Sequence, residues 1–356
     1  MSFLLARQIA YPYPKPLSDP RSPLSAPLHR RPTMKDVAQA AGVALKTVSR
    51  VVNGESTVAP DTLDRVRQAI HELGYRRNEG ARQLRQGRSQ AIAMVVRDIA
   101  DPFFAAIGRA VETRAESGEL VVMIGSSHDE PAREREVALG FCARRPNALI
   151  IAPIAKRQDY LLPEMADGLP VCAVDRPAQG IDCDAVLSDN TGGIRAAVDH
   201  LAGHGHRRIG YLGDDPAVFT SRERVAGFRA AMAERGLQVN EDEVRLGAPT
   251  PSSVGAALRT LLDPSDPVTA LITANNRLTV EALRQLDRVQ DRPALVAFDD
   301  LELGELLRPG LTVVAQDPEA IGNAVMDLLA APHPEPRQVR VPVTLIPRGS
   351  AEFPPR

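Results

Sequence analysis

The sequence predicts an α/β protein with two parts: a small three-helix helix-turn-helix module, then a two-lobed body of doubly wound parallel sheets. Three observations carry this. From residue 90 onward, short apolar runs alternate with helical segments, the rhythm of strands joined by right-handed crossovers. About 260 residues of that rhythm is too much for one sheet and divides into two lobes with a cleft between them. Ahead of it, three short helical patterns occupy residues 33–73, the first two joined by a tight glycine turn.

The module reads in order. Thr33 is placed to cap the first helix, with Asp36 three residues on, close to a capping box. Val37, Ala38 and Ala41 face inward and Gly42 ends the helix. The second helix spans Leu45 to Val52 with Val48, Val51 and Val52 inward, and Asn53-Gly54 breaks it. The third opens at Pro60 and carries the stripe Leu63, Val66, Ile70 and Leu73 before Gly74 closes it. Upstream, residues 1–32 are Pro-rich (Pro12, Pro14, Pro16, Pro20, Pro23, Pro27, Pro32) and read as a disordered tail of polyproline character.

In the body, strands are expected at Ala91–Val96, Leu120–Gly125, Ala148–Ala152, Pro170–Val174, Arg208–Leu212, Ala270–Thr273 and Ala294–Phe298. Helices between them include Phe104–Ala115, Gly192–Leu201, Arg222–Arg235 and Val280–Leu286.

Composition narrows the function. The chain has 356 residues, 44% hydrophobic and 25% charged, which excludes collagen-like, mucin-like and wholly disordered classes. No apolar run approaches ~18 residues, so no spanning helix and no membrane partner is expected. The short run Phe3-Leu4-Leu5-Ala6 is too small for a signal-peptide core. Three cysteines (Cys142, Cys172, Cys183) read as free thiols of a reducing compartment, and no Cys/His spacing suits zinc. Charge is uneven. Between Arg30 and Arg88 lie twelve Lys or Arg and six Asp or Glu, net +6; the whole chain is −2, so the remainder carries −8. A basic module on an acidic body points to a polyanion for the module, although a solvated surface would carry the same charge.

The segment Thr33-Met34-Lys35-Asp36-Val37-Ala38-Gln39-Ala40-Ala41-Gly42-Val43, followed by Lys46-Thr47-Val48-Ser49-Arg50-Val51-Val52-Asn53-Gly54, resembles the signature of the lac repressor / gal repressor family. Leu73-Gly74-Tyr75, Asn78, Ala81-Arg82 and Leu84 extend the match. So do Asp101-Pro102-Phe103-Phe104, Asp175-Arg176, Ser188-Asp189-Asn190, Arg224 with Gly227-Phe228, Ala274-Asn275 and Phe298-Asp299-Asp300 in the body. The likeness covers roughly residues 33 to 350. It implies a helix-turn-helix domain at 33–77, a hinge helix or linker at 78–88, and a periplasmic-binding-protein-like body at 89–356. That body divides into an N-terminal lobe of about 89–189 and 316–330 and a C-terminal lobe of about 190–315 and 331–356.

The resemblance also implies roles. In this motif the second helix enters the major groove, which places Leu45, Lys46 and Arg50 at base edges; Arg50 can be bidentate to guanine. Thr33, Thr47, Ser49 and Asn53 are short donors for phosphates, with helix capping or exposure as the plainer alternative for Thr47 and Ser49. Asn78, Ala81 and Leu84 fall on the hinge helix that pairs with its twin in the minor groove, where Leu84 would wedge between base steps. Ala44 and Ala59 stand where relatives carry capping hydroxyls, and each missing cap costs about 1 kcal/mol. Arg77 replaces the usual proline before the hinge.

For the body, the resemblance to periplasmic sugar-binding proteins implies a small polar effector between the lobes. Phe103, Asp175, Arg176, Phe219, Arg224, Asn275 and Asp299 are its expected contacts. Plainer alternatives are a surface ion pair for Arg224, a cap for Asp299 and a core position for Phe104. Asn276 stands where the family usually has Asp, and Pro318 falls where the lac repressor has a stacking aromatic. With no Trp in the chain, the effector class stays open among sugars, sugar acids, nucleosides and other small metabolites.

The expectation is therefore a cytoplasmic, bacterial, homodimeric transcriptional repressor on a pseudopalindromic double-stranded operator, controlled by an effector and nucleoid-associated when bound to DNA. It needs no cofactor and no metal. The alternative is a solute-binding protein that uses the body alone; the missing export signal and the basic module argue against it. Enzyme chemistry is not expected, because no Walker loop, GxSxG elbow or metal spacing is present. The last residues hold no heptad run, which favours a dimer over a coiled-coil tetramer.

Overall fold

The computed structural model describes residues 32–52, 55, 58–75, 89–287, 289, 291–331 and 333–355. The chain divides into two compact units, residues up to 82 and from 83 on.

The first unit holds α1 (Met34–Ala41), α2 (Leu45–Val52) and α3 (Pro60–Leu73). Val37, Val48 and Val66, one from each helix, are fully buried against one another with Ala41 and Ala69. The Thr33–Asp36 capping box is complete: the Thr33 hydroxyl accepts from Asp36 N, and Asp36 accepts from Thr33 N at 2.7 Å. Gly42 and Gly74 terminate α1 and α3 at φ +62° and +60°, a conformation that favours glycine. Ala59 caps α3 with no side-chain hydrogen bond, and Pro60 at the first position compensates only through its preset φ. The expected α3 stripe is shorter than anticipated: Leu73 is exposed at its end, where Tyr75 packs on the core instead.

The second unit contains two six-stranded sheets. The first is ordered β11-β5-β4-β3-β1-β2, from β1 (Ala91–Val96), β2 (Val121–Ser126), β3 (Ala148–Ile151), β4 (Val171–Val174), β5 (Asp184–Ser188) and β11 (Gln338–Val341). The second is ordered β12-β10-β9-β8-β6-β7, from β6 (Ile209–Gly213), β7 (Val244–Leu246), β8 (Ala270–Thr273), β9 (Ala294–Phe298), β10 (Thr312–Ala315) and β12 (Thr344–Ile346). All pairings are parallel except β10 with β12. Central strands such as Ala91–Val96 are buried along their whole length because helices cover both faces. Those helices are α4 (Pro102–Glu116), α5 (Pro131–Cys142), α6 (Leu162–Ala166) and α11 (Pro318–Ala330) on the first sheet, and α7 (Asn190–Gly203), α8 (Phe219–Glu234), α9 (Pro251–Leu261) and α10 (Asn276–Leu286) on the second.

The chain crosses between lobes three times, after β5, after β10 and after β11. The last crossing corrects the expected return at residue 331. Val339 faces Val186 in a parallel register with β5, so 338–341 is the edge strand of the first lobe. The four polar or charged side chains that precede and interrupt this strand hide it from a hydropathy pattern.

Candidate functional site

In a parallel sheet the functional groups gather beyond the carboxyl ends of the strands. Here both sheets point those ends at one cleft of about 810 Å³. All seven side chains singled out for the body line it: Phe103, Asp175, Arg176, Phe219, Arg224, Asn275 and Asp299.

From the first lobe, Asp101 caps α4 by accepting from Phe103 N at 3.2 Å, which sets Phe103 at the cleft edge. Phe103 meets Phe104 edge-on at 5.2 Å, and Phe104 is a core residue. Asp175 follows β4 in the left-handed region (φ +69°) and accepts from Arg176 Nε at 3.1 Å. From the second lobe, Phe219 opens α8 and packs on Leu187, Ala173 and Ala185 of the first.

Arg224 is 4% exposed and is not a surface ion pair. Its Nε donates to Asn190 Oδ1 at 2.7 Å and its Nη1 to the Ala274 carbonyl at 2.5 Å. Its guanidinium lies 3.7 Å over the Phe298 ring, a cation–π contact. Asn190 in turn donates to Glu223 Oε2 at 2.9 Å, and Arg340 of the first lobe grips Glu223 with both Nη atoms. Burial pushes the Glu223 carboxyl up, but Arg340 and Asn190 outweigh it and hold it below the usual range. Asn275 works structurally as well as lining the cleft. Its Oδ1 caps α10 through Leu278 N, and its Nδ2 donates to Asp214 at 2.9 Å.

Asp299 sits after β9 at φ +76°, buried. It accepts from Asn276 N at 3.1 Å and from Gln316 Nε2 at 2.5 Å, so it ties the start of α10 to the second crossing and does not cap the segment that follows it. Burial pushes its carboxyl above the usual carboxylate range, against the Arg224 charge and those two hydrogen bonds.

Other lining residues escaped the sequence reading. Gln316, on the second crossing, bonds Asp299 and Ser188. It occupies the edge that Pro318, at the start of α11, does not reach. Arg97, Asp129 and Lys156 also line the cleft. Their signal is faint, since each is an ordinary charged residue in a loop past a strand. The cleft is thus lined by charged and amide side chains together with apolar ones, Phe103, Phe104 and Phe219 among them. It can hold a small molecule by hydrogen bonds and charge. Among the described residues, no group of three His, Cys, Asp or Glu is arranged to hold a metal ion.

The first unit offers a different surface. Leu45, Lys46, Ser49 and Arg50 share the outward arc of α2, opposite the buried Val48. Leu45 is 43% exposed. Arg50 pairs loosely with Glu55 at 3.6 Å. Thr33 serves the α1 cap, and Thr47 lies half-buried on the first turn of α2. Asn53, Asn78, Ala81 and Leu84 lie outside the described residues. Among the described residues no helix is long and apolar enough to cross a membrane.

Comparison with known proteins bears on both surfaces. Residues 33–78 match the family described as bacterial regulatory proteins, lacI family, and residues 198–351 match the periplasmic binding protein-like domain. The chain is 34% identical over 287 residues to the HTH-type transcriptional regulator GalS of Salmonella typhimurium, covering 79% of this chain and 84% of that one. Among solved structures it is similar to a CelR–cellobiose complex (30% identity, TM-score 0.64, 90% of this chain and 100% of that one). It is also similar to a lac repressor dimer bound to operator and the anti-inducer ONPF (26% identity, TM-score 0.79, 91% and 100%). With a helix-turn-helix unit and a two-lobed parallel-sheet body in the same order as these relatives, the chain belongs to the lacI family of bacterial regulatory proteins, which are HTH-type transcriptional regulators.

Proposed function

We propose that this chain is a repressor that binds a pseudopalindromic operator as a homodimer and is switched by a small polar effector, a sugar or related metabolite, held between the lobes. Arg224 carries the effector reading. It is a buried guanidinium in the cleft wall with no carboxylate among its hydrogen-bond acceptors, so it has capacity left for a ligand hydroxyl or carboxylate. Relatives support the reading: CelR has been solved with cellobiose, and the lac repressor as a dimer on operator with a ligand.

In this reading Leu45, Lys46 and Arg50 meet base edges while Thr33, Thr47, Ser49 and Asn53 meet phosphates. Asn78, Ala81 and Leu84 act in the minor groove. Phe103, Asp175, Arg176, Phe219, Arg224, Asn275 and Asp299 surround the effector. Ligand shifts the balance between lobe arrangements by binding one better than the other, and that differential changes DNA affinity. The protein works in the bacterial cytoplasm and catalyses no reaction.

A thermal-shift screen of the full chain against monosaccharides, disaccharides, sugar acids and nucleosides tests this. A stabilising compound should lose its effect in Arg224→Ala while that variant stays folded. A hit that stabilises Arg224→Ala as strongly as the wild type would place the ligand elsewhere and refute the cleft assignment.

A further inference from the structure

Arg97, Asp101, Asp129, Asn276 and Arg277 form one polar cluster that spans the cleft. Asp101 belongs to the first lobe and Asn276 to the second. Asn276 Nδ2 donates to Asp101 Oδ1 at 2.9 Å across the gap. Asp101 is held for that contact from its own side. Its Oδ1 caps Phe103 N, and its Oδ2 pairs with Arg97, a guanidinium 13% exposed. Asn276 is held equally firmly. Its backbone N–H is fixed on Asp299, and it begins α10 directly after the Asn275 cap. Asp129 of the first lobe adds a second strand to the contact, lying 3.7 Å from Arg97 and 3.5 Å from Arg277 of the second lobe.

The chemistry at position 276 decides the sign of this contact. An amide supplies the N–H that Asp101 accepts. A carboxylate there would supply no donor and would set a charge against Asp101, within reach of Asp299 as well. We infer that Asn276 is a positioning residue that latches the two lobes together through Asp101, and so sets how far the cleft is closed before any ligand arrives. The latch couples to closure because its two halves sit on rigid helix N-termini, one per lobe, and a hydrogen bond of this length tolerates little separation. Arg277 and Asp129, both about half exposed, add orientation and little strength. The inference rests on the reading of the cleft as the moving part of the molecule.

The test is the distance between lobes in the full-length, ligand-free protein. Nitroxide labels go on exposed helix positions Ala132→Cys in the first lobe and Ala256→Cys in the second, in a Cys183→Ser background. Labelled chains are diluted into unlabelled protein so that only distances within one chain are read by pulsed electron–electron resonance. The wild-type side chains at 101 and 276 should give a narrow distribution. Asn276→Asp should move it to longer distances and broaden it. Asn276→Ala, which removes the donor without adding a charge, should also move it to longer distances, by less than Asn276→Asp. A distribution unmoved by Asn276→Asp, or one left as in the wild type by Asn276→Ala, would overturn the latch. Neither DNA nor effector enters the measurement, so its failure is separate from failure of the proposed function.

Discussion

The two lobes of the body repeat one plan and use it for different ends. Their strand orders correspond position by position, and the matching strands β4 and β9 end in the same device: an aspartate in the left-handed region whose N–H donates to the neighbouring strand. Asp175 N donates to the Val186 carbonyl and Asp299 N to the Val314 carbonyl, both at 3.0 Å. The side chains then diverge. Asp175 meets Arg176 beside it, whereas Asp299 accepts from Gln316 and Asn276. Shared backbone geometry therefore fixes where a functional group projects, and its surroundings decide which partners it takes.

The lobes differ in their last strand for a topological reason. Strands of both parallel sheets run toward the cleft. A chain that leaves the first lobe at the end of β11 therefore enters the second at the cleft side, and β12 must run against β10. The other two crossings avoid this by inserting a helix, α7 or α11, that carries the chain away from the cleft first.

Helix packing gives the sharpest way to test the correspondence. In the first lobe a Cβ on Gly322 of α11 would stand 2.6 Å from Ala110 and 3.1 Å from the Ile107 carbonyl of α4, and backbone cannot yield. In the second lobe a Cβ on Gly227 of α8 would meet the Thr191 backbone of α7 no closer than 3.2 Å. Gly322→Ala should therefore cost more than Gly227→Ala, within the roughly 1–3 kcal/mol of overpacked sites, as read by urea unfolding. The opposite order would mean that the first-lobe seam relaxes more easily than its backbone contact implies.

A smaller effect belongs to Asp299. Because the folded carboxyl of Asp299 lies above its unfolded value, the native state binds the extra proton, and the contribution of Asp299 to stability is lost as pH rises above the usual carboxylate range. Thermal melts should show Asp299→Asn gaining on the wild type as pH is raised from acid toward neutral. A constant difference across that range would show that burial does not govern this group.

The smallest effects belong to the ion pairs that edge each helix seam, Arg114–Asp327 at 2.6 Å in the first lobe and Arg195–Glu234 at 2.5 Å in the second. Asp327→Asn and Glu234→Gln should each change stability by less than about 1 kcal/mol, because both pairs are largely exposed. A larger loss in one lobe alone would expose a difference that the shared plan hides.

Much of this arrangement was legible beforehand, and the failures have physical causes. Ala91–Val96, Ala270–Thr273 and Ala294–Phe298 lie where the apolar runs place them, since strands buried on both faces are apolar throughout. The edge strands Val244–Leu246, Gln338–Val341 and Thr344–Ile346 are short and carry Arg245, Arg340 and Thr344 toward solvent, so no run marks them. The helices beginning at Pro131, Pro251 and Pro318 add to those expected, and proline at a first helical position is itself the start signal that marks them. The seven cleft side chains were found through family resemblance, not through any local pattern. The contact between Asp101 and Asn276 joins residues 175 apart in the chain, and nothing local announces it.

The most direct test of the central claim is selection of the purified full-length protein against a random duplex pool at near-physiological salt, without ligand, beside an Arg50→Ala variant. The account predicts enrichment of a pseudopalindrome with a flexible pyrimidine–purine step at its centre, and a loss of about 1–3 kcal/mol at one base position per half-site in Arg50→Ala. Enrichment of unsymmetrical sites, or a loss in Arg50→Ala spread evenly over all sequences, would contradict a dimer that reads bases through α2.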